Sequence, residues 1–403
     1  MFFFSPKSHL FSTVCVLVIM GSALSACTQD IPFKHVDKLI ENRQYSSAFH
    51  LLDSLDPQNK NLKAVEYKMN LALHYHSNTI MHEMFEFHDL SKDQNLADMR
   101  KESGDFKMKE WSMHDVFQGL IDQNPDAPQI HVWAAQFYYT ILQHYPNGWK
   151  IKSDSLFQLM KHHAQSAINQ KEGDALCHFV MGYYYAAEES YNKAMQEYAI
   201  ALYKDPNMAI AHYNLALTRI NMNDLLSALP STRAAFEHYT DSSDKADAAR
   251  LSGYICEKLS DDKTALGYFL TAWQHDPGNI ENIHALTEIH VRLQTPDYLK
   301  YTEHYFLLDP SNEEVYKGLV EIYSQYNLSK DLIDFFKSHT TKHGQNHTTL
   351  APLNYFIAGM IYMHQPEEAV GYLKAAKTHY AKFLDKNHDT FRFIDQKIQD
   401  LSR

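Results

Sequence analysis

Glycine and proline are scarce in this chain, 13 of each in 403 residues, against averages near 7% and 5%. That disfavours turn-rich β architecture and points to helices. Positive charge is also short: the formal net charge is −12, whereas a nucleic-acid binder needs a basic stripe. No run of five like charges forms a tail. There are four cysteines. The longest apolar run, Leu10 to about Ala23, falls short of the ~20 residues that span a bilayer as a helix. The strings GxSxG, GxxxxGK followed by Ser or Thr, and HExxH do not occur, so no nucleophile elbow, P-loop or zincin helix is offered. No catalytic residue, cofactor or metal is assigned.

What the chain does hold is apolar and aromatic. Apolar residues make up 45%, with 26 Tyr, 22 Phe and 25 His, which is globular rather than disordered composition. At this length either several domains or a repeat array is expected.

The N-terminus, MFFFSPKSHLFSTVCVLVIMGSALSAC, has one cation (Lys7), a short apolar stretch and a small-residue end, the pattern of an export signal. Leu24-Ser25-Ala26-Cys27 resembles the bacterial lipobox. The resemblance implies removal of residues 1–26 and acylation of Cys27, with 27–35 as a tether. Each buried methylene contributes about 0.8 kcal/mol and more than one acyl chain holds durably, so the chain is expected to be lipid-anchored. Thr28 follows the cysteine, and by resemblance to enterobacterial sorting this implies an outer membrane facing the periplasm.

A period of about 34 residues runs through the centre. Gly182, Ala194, Ala201 and Pro206 lie at offsets 0, +12, +19 and +24, and Gly253, Ala265, Ala272 and Pro277 repeat them. Between these, Ala216, Ala228 and Ala235 repeat the first three, and Tyr198 and Phe269 stand at +16. Helices approach to about 8–10 Å only where side chains are small, and proline ends a helix by lacking its N–H. This spacing resembles the tetratricopeptide repeat, a helix–turn–helix unit. The resemblance implies an all-α, right-handed superhelical solenoid of antiparallel helix pairs. Repeats are placed at 175–208, 209–245, 246–278, 279–312 and 313–347, with TDSSD (240–244) as an inserted loop.

The array is assigned to 173–347, followed by a repeat-like hairpin and capping helix in 348–403. The region 36–172 is read as irregular and helical, with degenerate hairpins and a Met/His-rich insertion at 77–127. Cys177 and Cys256 fall in helices about 20 Å apart by repeat spacing, beyond disulfide reach, and are expected to be free and buried.

The resemblance also implies a concave groove lined by the first helix of each repeat. It would include Leu176, Phe179, Tyr183, Tyr213, Leu217, Asp247, Arg250, Tyr254, Glu257, Lys317 and Glu321. An aromatic patch beside a charged stretch suits a protein or peptide partner. Asn214 sits at a carboxylate-clamp-like position, but basic partners are missing. Phe179 and its neighbours could alternatively pack on the helices of 36–170. In a helical reading, Met81, Met84 and His88 share one face, as soft metal ligands or as core. His339, His343 and His347 recur every four residues, but Gly344 interrupts them. The expected function is a lipid-anchored scaffold for protein–protein interaction in pilus, secretion, envelope or cell-wall machinery. Two other functions stay open: a metal- or glycan-binding lipoprotein, and an enzyme with acid–base residues distant in sequence.

Overall fold

The computed structural model describes residues 31–100, 107–125, 127–145 and 149–402. The lipobox with Cys27, and residues 28–30 of the expected tether, lie outside the described residues; residues 31–35, also read as tether, already belong to the first helix. No described helix is long and apolar enough to cross a membrane. The chain divides into two compact units between Asp244 and Lys245.

In the first unit, α1 (Ile31–Glu41) and α2 (Tyr45–Leu55) form a hairpin followed by α3 (Leu62–His74). Three short strands come next, β1 (Asn78–Ile80), β2 (Met84–Glu86) and β3 (Lys109–Glu110), with α4 (Leu96–Met99) between the last two. They form an antiparallel sheet in the order β1-β2-β3. Then come α5 (Met113–Gln123) and three hairpins: α6 (Pro128–His144) with α7 (Ser153–Asn169), α8 (Ala175–Ala187) with α9 (Tyr191–Lys204), and α10 (Ala209–Asn221) with α11 (Leu225–His238).

α12 (Ser242–Lys258) carries the division. The second unit continues with α13 (Asp262–His275), α14 (Ile280–Arg292), α15 (Tyr298–Leu308), α16 (Glu313–Gln325) and α17 (Ser329–Lys342). It ends with α18 (His347–Ile361), α19 (Pro366–Tyr380) and α20 (Asp389–Leu401). The fold is all-α, built of antiparallel helix pairs. Two details differ from expectation. The inserted loop is mostly the first turn of α12, because Asp241 accepts from the N–H groups of Ser243 (2.8 Å) and Asp244 (3.3 Å) and starts the helix at Ser242. The Met/His insertion holds the sheet.

The pairing of helices rests on a reciprocal fit. Gly182 and Gly253 sit where the ring at +16 crosses the first helix. A Cβ on Gly182 would lie 2.6 Å from Tyr198 Cδ1, and one on Gly253 would lie 2.5 Å from Phe269 Cε1. Where the first position carries Ala216, the +16 position carries Thr232, and both are buried. At the two glycine crossings the ring occupies the space that a Cβ would take. Ala194, Ala201, Ala228, Ala235, Ala265 and Ala272 are all fully buried as well.

The same turn also recurs inside six of the pairs. Arg43, Glu189, Asn223, Ser260, Gln294 and Asn327 adopt positive φ between 47° and 61°. The N–H of the next residue donates back across the turn, as in Ser190 to Tyr185 O (2.8 Å), Asp224 to Arg219 O (2.8 Å), Asp261 to Cys256 O (2.9 Å) and Leu328 to Tyr323 O (2.8 Å). This left-handed residue satisfies the end carbonyls of the first helix. The Asp-Pro steps close the second helices: Asp205, Asp276 and Asp309 follow the last residues of α9, α13 and α15.

Replacing Gly253 with Ala should overpack the crossing and cost about 1–3 kcal/mol in urea unfolding; an unchanged midpoint would contradict the fit. The Tyr198 hydroxyl is buried with no hydrogen-bond partner among the described residues, a penalty of about 1–3 kcal/mol. Tyr198→Phe should therefore raise the thermal midpoint, and a lower one would show the hydroxyl is satisfied.

Candidate functional site

The first helices of the pairs present one face that the pair itself does not bury. In the first unit this face carries Leu176 and Tyr183 on α8 and Tyr213 and Leu217 on α10, all half-buried. None of the four bears a charge. Tyr183 packs edge-on to Tyr139 of α6 at 5.8 Å and to Phe157 of α7 at 6.0 Å. Tyr213 lies 6.3 Å from the Tyr239 ring.

Phe179 is a correction. It is fully buried, 5.3 Å from the Tyr139 ring and 6.0 Å from Tyr198. It belongs to the packing between hairpins, and its neighbours α6 and α7 are the helices onto which the aromatic patch could fold. Asn214 is buried too, with Nδ2 donating to Ile210 O at 2.9 Å, so it is not presented to a ligand.

In the second unit the same face is charged. Arg250 on α12 donates to Asp247 (2.7 Å) one turn back, and reaches Glu281 (2.8 Å) and Asn282 (3.0 Å) on α14. Burial disfavours its charge, but the Asp247 and Glu281 carboxylates outweigh that and hold the guanidinium more firmly protonated than usual. In the other direction, Arg292 of α14 reaches Glu257 (2.6 Å) of α12 and Asp262 (2.9 Å). Burial pushes the Glu257 carboxyl up, with Arg292 opposing. Burial also pushes the Tyr254 phenol up. On α16, Lys317 pairs with Glu314 at 2.6 Å in solvent, and Glu321 is exposed.

Residues missed in the sequence complete this row. Glu281, His284, Glu288 and Arg292 on α14 lie between the α12 and α16 rows. Glu288 accepts from Tyr326 Oη at 3.0 Å. His284 is held neutral by burial, although Glu288, Glu321 and Glu281 all pull the other way. Counting from 279 lands instead on Ile283 and Thr287, which are buried. The N-caps give the better register: Asn279 accepts from Glu281 N–H (2.9 Å) as Asn312 accepts from Glu314 N–H (3.0 Å).

The Met/His reading is corrected. Residues 78–86 form a hairpin, with Met81 and His82 at positive φ in its turn. Met81, Met84 and His88 therefore share no helix face. Phe85 and Phe87 stand two apart, the period of a strand rather than a helix. Among the described residues, no group of three or more His, Cys, Asp or Glu is arranged to hold a metal ion. Gly344, at φ 55°, ends the α17 segment before His347, which starts α18. Cys177 and Cys256 are free and buried, and burial pushes the Cys177 thiol far up.

A cavity of about 360 Å³ lies off the row, lined by Ser311, Glu313, Thr348, Tyr380 and His388 among others. Glu313 is engaged there by Tyr380 Oη at 2.9 Å.

No family model matches the chain, and no curated protein does. Solved structures similar to it are repeat proteins. YrrB, described as a TPR protein with an unusual peptide-binding site, is 15% identical, with a TM-score of 0.39 over 50% of this chain and 96% of its own. PilF of Pseudomonas aeruginosa is 13% identical, with a TM-score of 0.38 over 66% of this chain and 99% of its own. The C-terminal part of a TPR repeat-containing protein from Cytophaga hutchinsonii is 11% identical, with a TM-score of 0.40 over 89% of this chain and 98% of its own.

Truncating Arg250 to Met would leave the half-buried Asp247 and Glu281 and the fully buried Asn282 without their shared donor. It should cost about 1–3 kcal/mol, lowering the thermal midpoint; no change would mean the cluster contributes only solvated surface charge.

Proposed function

We propose that this protein is a lipid-anchored helical-repeat scaffold that holds a protein or peptide on its first-helix faces. The observation that carries the reading is the sorting of chemistry along those faces. The α8–α10 face is uncharged and aromatic, with Leu176, Tyr183, Tyr213 and Leu217 half-buried and rigidly backed. The α12–α14–α16 face is charged and already cross-linked by Arg250 and Arg292. Pre-packed aromatics lose little entropy on contact and serve as anchors. Ordered charges set register and orientation more than affinity. Binding is favoured over catalysis because both arginines of the row are occupied by Asp247, Glu281, Glu257 and Asp262, forming a recognition surface rather than a set of poised acids and bases.

The anchor rests on the Leu24-Ser25-Ala26-Cys27 sequence. It places the scaffold on a membrane facing the periplasm, the outer membrane by the Thr28 rule, as a part of envelope, secretion, pilus or cell-wall machinery.

The test is crosslinking in the native cell followed by identification of what co-purifies. The double substitution Tyr213→Ala, Leu217→Ala should reduce the captured partner at least tenfold. Tyr203→Ala, at a site 88% exposed on the second-helix side, should leave capture unchanged. Equal capture by both would remove the groove. Cys27→Ser should move the protein from the membrane to the soluble fraction, and continued membrane fractionation would remove the anchor.

A further inference from the structure

The β1–β2 hairpin buries an imidazole among other imidazoles. His82, in the hairpin turn at φ 49°, is 2% exposed. Its Nδ1 lies 2.9 Å from Tyr145 Oη, and its Nε2 is buried with no hydrogen-bond partner among the described residues. Its ring is enclosed by His144 (4.9 Å between centroids), Tyr145 (5.4 Å), His76 (5.5 Å) and Phe85 (6.0 Å). These come from separate elements: His76 just after α3, Phe85 in β2, and His144 and Tyr145 at the end of α6.

A permanent cation is fastened at the same place. Arg100, just after α4, donates from Nε to His76 O (3.1 Å) and from Nη2 to His74 O (3.0 Å). The titratable and charged groups facing the cluster are thus His74 and His76 from the α3 side, Arg100 from the α4 side, His82 from the hairpin, and His144 and Tyr145 from α6. Among the described residues, no carboxylate is one of them. The acids of the hairpin are engaged elsewhere: Glu83 with Lys150 and Ser112, and Glu86 with Ser77, His88 and the Lys107 N–H. Besides this packing, the hairpin is tied by a two-residue ladder to β3, by the Glu83 and Glu86 contacts just given, by Trp149 Nε1–H donating to Met81 O and by Trp111 N–H donating to Glu83 O at 2.8 Å.

We propose that this cluster is an acid-release latch, in which proton uptake frees the β1–β2 hairpin from α3 and α6 while the helix pairs stay folded. Burial, the neighbouring imidazoles and Arg100 oppose a positive charge here, and short strands of two or three residues have little stability of their own. Burial, with His76 and His144 adding repulsion, takes His82 down to about 2. Burial, with Arg100, takes His76 down to about 4. Burial and then Arg100 also lower His74 and His144.

The sign follows from linkage. Above about pH 6.5 the imidazoles are neutral both packed and released, so the latch is closed. Below it the released imidazoles protonate while the packed ones resist, so the closed form loses ground as pH falls. Each imidazole fully freed contributes up to a tenfold change in the opening constant per pH unit, so His82 in the turn and His76 at the base of the hairpin together contribute up to about 100-fold.

Hydrogen exchange on the full chain between pH 7.5 and 5, corrected for intrinsic rates, reads this directly. The opening constant for the amides of residues 77–86 should rise more than tenfold per pH unit below pH 6.5, with protection in α18 and α19 and the far-UV helical signal unchanged. A rise of tenfold or less, or joint loss of protection in the hairpin and in α18–α19, would overturn the proposal. His82→Asn keeps a side chain that tolerates positive φ and removes one titrating group. It should flatten the profile by about tenfold per pH unit, and an unaltered slope would also overturn the latch. If that variant does not fold, the wild-type slope decides alone.

Discussion

The crossing between the two helices of a pair is the constraint from which the rest follows. A backbone-to-ring approach is possible only where one partner has no Cβ, as at Gly182 against Tyr198 and Gly253 against Phe269. Interiors are packed at crystal-like density, and where the first helix carries Ala216 the ring is replaced by the smaller Thr232. The cost is visible at Tyr198, whose ring fits while its hydroxyl is buried without a hydrogen-bond partner among the described residues. Ring packing outweighs a hydrogen bond at that position.

Once each pair is fixed, the outward face of its first helix is fixed too. Side chains at steps of three and four share that face, which is why Asp247, Arg250, Tyr254 and Glu257 form one line on α12 and Glu281, His284, Glu288 and Arg292 another on α14. The two lines are stitched by Arg250 to Glu281 and Arg292 to Glu257. A surface whose charges are already ordered presents a defined pattern at low entropic cost, whereas mobile surface charges would contribute little. The α8–α10 face uses aromatic bulk instead.

How much of this can be read without coordinates depends on the kind of signal. The glycines, alanines and Asp-Pro steps are composition signals with a fixed period, and they place the array pairs from α8 to α17 closely. The one-residue slip at α14 is not a composition signal, because Ile280 and Ile283 look as suitable as their neighbours; only the Asn279 and Asn312 caps reveal it. The left-handed turn residues are invisible for a similar reason. Glu189, Asn223, Ser260, Gln294 and Asn327 share a backbone conformation and little else; Asn tolerates it, whereas the fold imposes it on Glu189, Ser260 and Gln294 against their own preference. The hairpin at 78–86 was misread because a short Met/Phe segment fits either period, and Phe85 with Phe87 was the one clue to a strand. Phe179 was misplaced because position in a repeat says which way a residue points but not what an irregular neighbour, here Tyr139, brings against it.

The most direct test of the central claim is a double-mutant cycle on one crossing, with Gly182→Ala, Tyr198→Thr and the pair together measured by urea unfolding. The double variant recreates the combination found at Ala216 and Thr232. The account predicts that its destabilisation is smaller than the sum of the single ones by at least about 1 kcal/mol, beyond the ~0.5 kcal/mol scatter of independent sites. Additive effects would contradict it, because they would mean that the small residue and the ring do not share the space on which every pair is built.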